Sequence, residues 1–157
     1  MFDPETIEFL EGGCALVVGT VASDGAPFVS RGWGLTVVEP EEDRIELLVD
    51  AAEAVALGNI DSTRRVALTA GDVPTLHSVQ LKGHVTGVRP AGDADKVAVD
   101  RFCEAFFDDV IATDGTDRRL LERLVPLEFV VCDVSVDEFY NQTPGPGAGS
   151  AVARGES

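Results

Sequence analysis

The sequence predicts a mainly β domain, a small six-stranded antiparallel barrel with helices at its ends. Three observations carry this. Six apolar runs of strand length are separated by turn signals, and the first two are joined by a hairpin turn at Ser23-Asp24-Gly25. Only a few short stretches have helical spacing, so the alternation of strand and helix that builds a parallel sheet is missing. No Gly-x-Gly-x-x-Gly follows a strand and no phosphate-binding P-loop occurs; Gly145, Gly147 and Gly149 have no helix after them. At 157 residues, 45% of them hydrophobic and 25% charged, the chain suits a single core.

Asp3-Pro4-Glu5 starts a short helix, with Asp as N-cap and Pro in the first turn, and Gly12-Gly13 ends it. Cys14 to Ala22 is a continuous apolar run and reads as a strand buried on both faces. Phe28 to Val38 is the second strand. A charged loop, Glu39 to Asp43, leads into the third at Arg44 to Val49. Ala51 to Ile60 reads as a helix, Arg64 to Ala70 as the fourth strand and Leu76 to Val88 as a long fifth. Val99, Phe102, Cys103, Phe106 and Val110 recur at helical spacing within 94–111. Asp114-Gly115 breaks that helix and a shorter one follows over 117–124. Pro126 stops it, and Leu127 to Val136 is the sixth strand. The domain is expected to occupy 1–142. The Gly- and Pro-rich residues 143–157 read as a flexible tail.

Twelve Lys+Arg against 28 Asp+Glu give a net charge of −16. So acidic a chain repels nucleic acid and anionic membrane, which need basic patches. It is the balance carried by proteins of very salty cytoplasm, where screening relieves self-repulsion, so a halophilic source is an expectation. No apolar run approaches the roughly 20 residues of a membrane span. The N-terminus is acidic where a secretory signal would be basic, so a cytoplasmic location is expected. Cys14, Cys103 and Cys132 lie in apolar stretches without metal-ligand spacing and read as buried thiols.

Two strands carry candidate chemistry. The second contains Ser30-Arg31-Gly32-Trp33-Gly34. Alternation puts Arg31 and Trp33 on one face with Val29 and Leu35, and Ser30, Gly32 and Gly34 on the other. Two glycines in one strand mark either a barrel bend or a flat backbone strip on which a planar ligand lies. In the fifth strand, Ser78, Gln80, Lys82 and His84 share one face, opposite Val79, Leu81 and Val85. That row is a solvated face or, since it avoids carboxylates in so acidic a protein, an anion site. His77 and His84 point to opposite faces, so no metal site is expected, and no catalytic constellation is recognisable.

Three segments resemble the pyridoxamine 5'-phosphate oxidase-like flavin-binding family. Val18-Gly19-Thr20-Val21 through Asp24-Gly25 to Pro27–Gly34 is similar to its opening hairpin. Ser78-Val79-Gln80-Leu81-Lys82-Gly83 is similar to the strand along the cofactor. Phe139-Tyr140-Asn141-Gln142-Thr143-Pro144-Gly145-Pro146-Gly147 is similar to the ending of short, uncharacterised members. The resemblance implies a six-stranded antiparallel split β-barrel, and a homodimer holding flavin mononucleotide (FMN) in two interface clefts. It further implies that Ser30, Arg31, Gly32 and Trp33 line the flavin and that Ser78, Gln80 and Lys82 reach its polar edge or phosphate. The sequence departs from the family where a Ser/Thr-Arg-Lys cluster should grip the phosphate: Asp50-Ala51-Ala52-Glu53-Ala54 stands there. Acids repel a phosphate. The expected function is therefore an FMN-binding oxidoreductase other than pyridoxamine phosphate oxidase itself. The alternative is a binding or sensing module that holds flavin weakly, or a deazaflavin, haem or no cofactor.

Overall fold

A computed structural model describes residues 2–152; Met1 and residues 153–157 lie outside it. The described chain runs α1 (Pro4–Glu11), β1 (Ala15–Val21), β2 (Pro27–Glu39), β3 (Arg44–Asp50), α2 (Ala54–Thr63), β4 (Arg65–Gly71), β5 (Ser78–Pro90), α3 (Asp93–Asp114), α4 (Arg118–Glu122) and β6 (Phe129–Asn141). All six strands pair antiparallel and close a barrel in the order β1-β2-β3-β6-β5-β4. The mainly β barrel with flanking helices is thus the observed fold.

Alternation fills the barrel. Leu16 and Val18, Ile45, Leu47 and Val49, Val66, Leu68 and Ala70, Val79, Leu81 and Val85, and Cys132, Val134 and Val136 all belong to one buried cluster. Each Val, Leu and Ile among them contributes about 1.5–3 kcal/mol by leaving water, so this interior is the main source of stability. The helices close the two ends. Asp3 caps α1 by accepting the Thr6 N–H at 2.7 Å, and Leu10 enters the cluster, its carbonyl accepting from the Cys14 thiol. At the opposite end of β1, Ile60 of α2 enters, and Asn59 donates to the buried Thr20 hydroxyl at 3.1 Å.

The outer wall is covered unevenly. Val99, Cys103, Phe106 and Phe107 of α3 pack on Trp33, Leu48 and Val131, over β2, β3 and β6. The outer side of β1 is not covered in this way: Val17 is 43% exposed and Val29, on neighbouring β2, 64%. The reading of β1 as buried on both faces is therefore corrected. A run of apolar residues shows strand length but not whether a helix lands on its second face.

Alternation along β2 is also corrected. The β2–β3 register slips between Gly32 and Gly34. Past that bulge Leu35 turns into the barrel, away from Trp33, while Gly34 faces outward against Leu48. Packing accounts for both glycines. A Cβ on Gly32 would sit 2.5 Å from the Leu16 side chain, and one on Gly34 3.0 Å from Leu48. The barrel-bend alternative is the one this geometry supports.

Strand β6 runs five residues beyond the expected end at Val136. A second slip, opposite Lys82 and Gly83, absorbs Asp137 and lets pairing continue to Asn141. Residues 143–152 then turn back on that extension. The Asn141 N–H donates to the Ser150 carbonyl at 3.0 Å, the Val152 N–H to Phe139 at 2.8 Å, and Tyr140 bridges Ala151. These bonds occupy part of the β6 edge that β3, ending at Ser135, leaves unpaired. The rest of the tail expected to be flexible, 153–157, falls outside the described residues.

Candidate functional site

The open part of the barrel wall brings β2, β1, β4 and β5 side by side, with their outward residues in cross-strand rows. One row runs Arg31, Val17, Thr69, Gln80; the next runs Val29, Gly19, Ala67, Lys82. Between these strands lies a groove of about 430 Å³. Gly19 and Ala67 line it, Val29 forms one side, and Arg65, Lys82 and His84 line it from β4 and β5. Asp137 and Glu138 of β6 lie at its far edge. A smaller depression of about 230 Å³ adjoins it at Val29 and includes Ser30 and Arg31.

Gly19 leaves the groove flat without any packing need. Its φ is not in the left-handed region, and a Cβ there would meet only Ala67, at 3.5 Å or more. Gly83, at the same groove, is different: a Cβ would lie 2.1 Å from the Ser135 carbonyl oxygen. The first glycine keeps open space above the sheet. The second lets β5 approach β6.

The expected site residues separate into three places. Lys82 lies in the groove, with Nζ 4.7 Å from the centre of the Tyr140 ring, a cation–π distance. The Tyr140 hydroxyl donates to Glu138, which holds the phenol above its ordinary pKa. Gln80, one row away, donates to the Thr69 hydroxyl at 3.3 Å. Ser78 sits at the end of β5, where its N–H donates to Thr143 at 3.0 Å and its hydroxyl to the Leu76 carbonyl at 2.9 Å. The shared outward face of Ser78, Gln80, Lys82 and His84 is the one alternation predicts, opposite buried Val79, Leu81 and Val85.

Arg31 lies three strands from Lys82, about 14 Å at the usual spacing of adjacent strands. Its guanidinium lies over the Trp33 and Phe106 rings, 5.6 and 5.5 Å from their centres. Trp33 is 6% exposed beneath α3, and Gly32 and Gly34 are buried with it. The backbone strip at Gly32–Gly34 is therefore not open to a ligand on this chain, and Trp33 acts beneath the surface as a platform for Arg31. The Ser30 hydroxyl is buried and has no hydrogen-bond partner among the described residues.

Charge pairing marks these strands further. Arg44 pairs with Glu39, and Arg89 with Glu46 and Asp95. Among the described residues, the other barrel-strand cations, Arg31, Arg65 and Lys82, make no ion pair. The groove's two acids take their partners within it and beside it, Asp137 with His84 at 3.1 Å and Glu138 with the Tyr140 hydroxyl. Sequence reasoning missed Arg65, reading Arg64-Arg65 only as the start of a strand. The one available signal was parity, since Arg65 alternates outward with Ala67 and Thr69. The loop after β3 keeps the acidic character its sequence shows: the Asp50 carboxylate accepts the Ala52 N–H at 2.8 Å. The three thiols are buried, and burial pushes Cys14 up to about 12 and Cys103 and Cys132 to about 11.

The residues present fit a planar ligand over Gly19 and Ala67 with its anionic group toward strand cations. They do not fit an anion at the β3–α2 loop.

The sequence profile described as pyridoxamine 5'-phosphate oxidase matches residues 2–138. No curated protein matches the sequence. Among solved structures, HupZ of Group A Streptococcus is similar with a TM-score of 0.58 at 13% identity, over 95% of this chain and 100% of that one. An F420 reductase gives 0.58 at 19% identity, over 87% and 98%. An FMN-binding protein of Syntrophomonas wolfei gives 0.52 at 13%, over 87% and 86%. At these identities the likeness is one of fold.

Proposed function

This chain belongs to the pyridoxamine 5'-phosphate oxidase family, and on that premise we propose that it is an FMN-binding oxidoreductase acting on a small molecule. One observation carries the reading. In a protein of net charge −16, three barrel-strand cations with no carboxylate partner among the described residues border a flat-floored groove and the depression beside it. A planar anionic ligand satisfies both features. FMN, when bound, supplies the hydride and electron chemistry. The chain's residues bind and orient. Arg31, over the Trp33 and Phe106 rings, and Lys82 present positive charge, while Gln80, one row from Lys82, offers hydrogen bonds at the margin. The acids of the β3–α2 loop argue against pyridoxamine phosphate oxidase activity itself.

The reading includes a homodimer. A second copy laid on the open wall would cover Val17 and Val29 and bring another chain's cations near each groove, and an isologous contact closes after two copies. It also includes a cytoplasmic, salt-adapted protein. Among the described residues no helix is long and apolar enough to cross a membrane. The second reading, a binding or sensing module for a deazaflavin, haem or weakly held flavin, is favoured by the acidic loop at 50–54.

The absorption spectrum of the purified protein, followed by flavin-fluorescence titration, tests the assignment. Arg31→Ala and Lys82→Ala are expected to fold normally and to lose about ten- to a hundred-fold in FMN affinity, as charge-assisted contacts are removed. Arg118, held by Glu104 and Asp108 on the far helices, is the control, and Arg118→Ala should leave binding unchanged. Equal affinity in all four proteins removes the site assignment. No binding by any of them removes the flavin reading and leaves the sensing module.

A further inference from the structure

We propose that Arg65 and Lys82 together form the anion clamp of this groove and take the ligand's phosphate, in place of the acidic β3–α2 loop. The inference rests on the flavin reading for the identity of the ligand but not for the clamp itself.

The geometry is that of adjacent antiparallel strands. Arg65 pairs with His84 and Ala67 with Lys82, so Arg65 and Lys82 are diagonal neighbours, with Cα atoms about 7–8 Å apart. Both line the same groove. Their long side chains reach one tetrahedral anion from two directions, the guanidinium as a fork and the ammonium as a point charge. Two carboxylates share the groove with them, Asp137 bonded to His84 and Glu138, the cross-strand partner of Lys82, accepting from the Tyr140 hydroxyl, yet the Arg65 and Lys82 side chains make no ion pair among the described residues. Neighbouring Arg64 does, with Asp61 at 3.8 Å. Arg31, three strands away, is too far to share the same phosphate. The floor completes the site: Gly19 and Ala67 leave room beside the clamp for an aromatic body, and Gly19 has no packing reason to lack a side chain.

The experiment compares FMN with riboflavin, the same ring system without the phosphate, at one fixed KCl concentration. The wild type is expected to bind FMN more tightly than riboflavin. Arg65→Ala and Lys82→Ala should each weaken FMN by about ten-fold or more and leave riboflavin within about two-fold, with Arg65→Lys recovering most of the loss. Gly19→Leu, which fills the floor, should weaken both ligands. If Arg65→Ala keeps the wild-type ratio of FMN to riboflavin affinity, the clamp is overturned and the flavin reading stands. If the wild type binds neither, the flavin reading fails, and the clamp is then judged with anilinonaphthalene sulfonate, an aromatic anion. Binding that pyrophosphate displaces and Arg65→Ala abolishes sustains the clamp. Absent binding, or binding indifferent to Arg65, overturns it.

Discussion

Gly19 and Gly83 line the same groove, yet adding one methyl group to each should have opposite effects. At Gly83 the Cβ would stand 2.1 Å from the Ser135 carbonyl oxygen and 3.0 Å from the Val136 Cα. Both are backbone atoms of β6, so no side chain can rotate away. Restoring ordinary contact requires β5 and β6 to separate by about 1 Å where pairing already slips. Overpacking of this kind costs about 1–3 kcal/mol, and the lost ladder bonds add to it. At Gly19 the added Cβ meets the Ala67 carbonyl and Cβ at 3.5 and 3.8 Å, ordinary contacts. There the smaller chain entropy of alanine in the unfolded state dominates, a gain of about 0.4–1 kcal/mol. Urea denaturation in multimolar KCl, followed by fluorescence of the buried Trp33, gives the comparison. Gly83→Ala should lower the midpoint by at least 2 kcal/mol divided by the measured slope, about 1–3 kcal/mol per molar in urea. Gly19→Ala should leave it unchanged or raise it. Coincident midpoints for the two variants would refute the reasoning, because one methyl group cannot be equally harmless in open groove and against backbone.

Two further outcomes are expected. Cys14, Cys103 and Cys132 should resist a thiol reagent in the native protein up to pH 9 and react together on unfolding, since burial holds them at about 11 to 12; labelling of any one in the folded state contradicts its placement. Arg89, donating two bonds to Asp95, holds that carboxyl below its ordinary 3.8, so the pair stabilises the fold above about pH 4 and the contribution is lost as pH falls through the lowered value. Asp95→Asn should therefore cost about 1 kcal/mol at neutral pH in low salt, less in multimolar KCl, and flatten the acid limb of the stability profile; an unchanged limb removes this pair from the account.

The sequence by itself determined the strands, their order along the chain and the inward set of most of them, because a period of two is written in each strand's own residues. It also placed the polar row of β5 correctly, since β5 keeps its alternation through Gly83. It identified the capped ends of α1 and the turn at Gly25, where local hydrogen bonds decide the geometry. Tertiary structure decided the rest. The bulge that turns Leu35 inward depends on pairing with β3, and the 3.0 Å approach of Leu48 to Gly34 is invisible from either strand alone. Whether the second face of β1 is open depended on where α3 lands, over β2, β3 and β6, and that landing leaves Val17 bare. Arg65 came to line the groove only when closure of the barrel set β4 between β1 and β5, placing it diagonally from Lys82 and beside the open floor at Gly19. The Gly/Pro-rich end reads as unstructured because its bonds are made with β6, up to thirteen residues back along the chain, and not within itself alone. Periodicity is a property of one segment. Grooves, bulges and charge pairs arise between segments, and only the closed barrel specifies which segments meet.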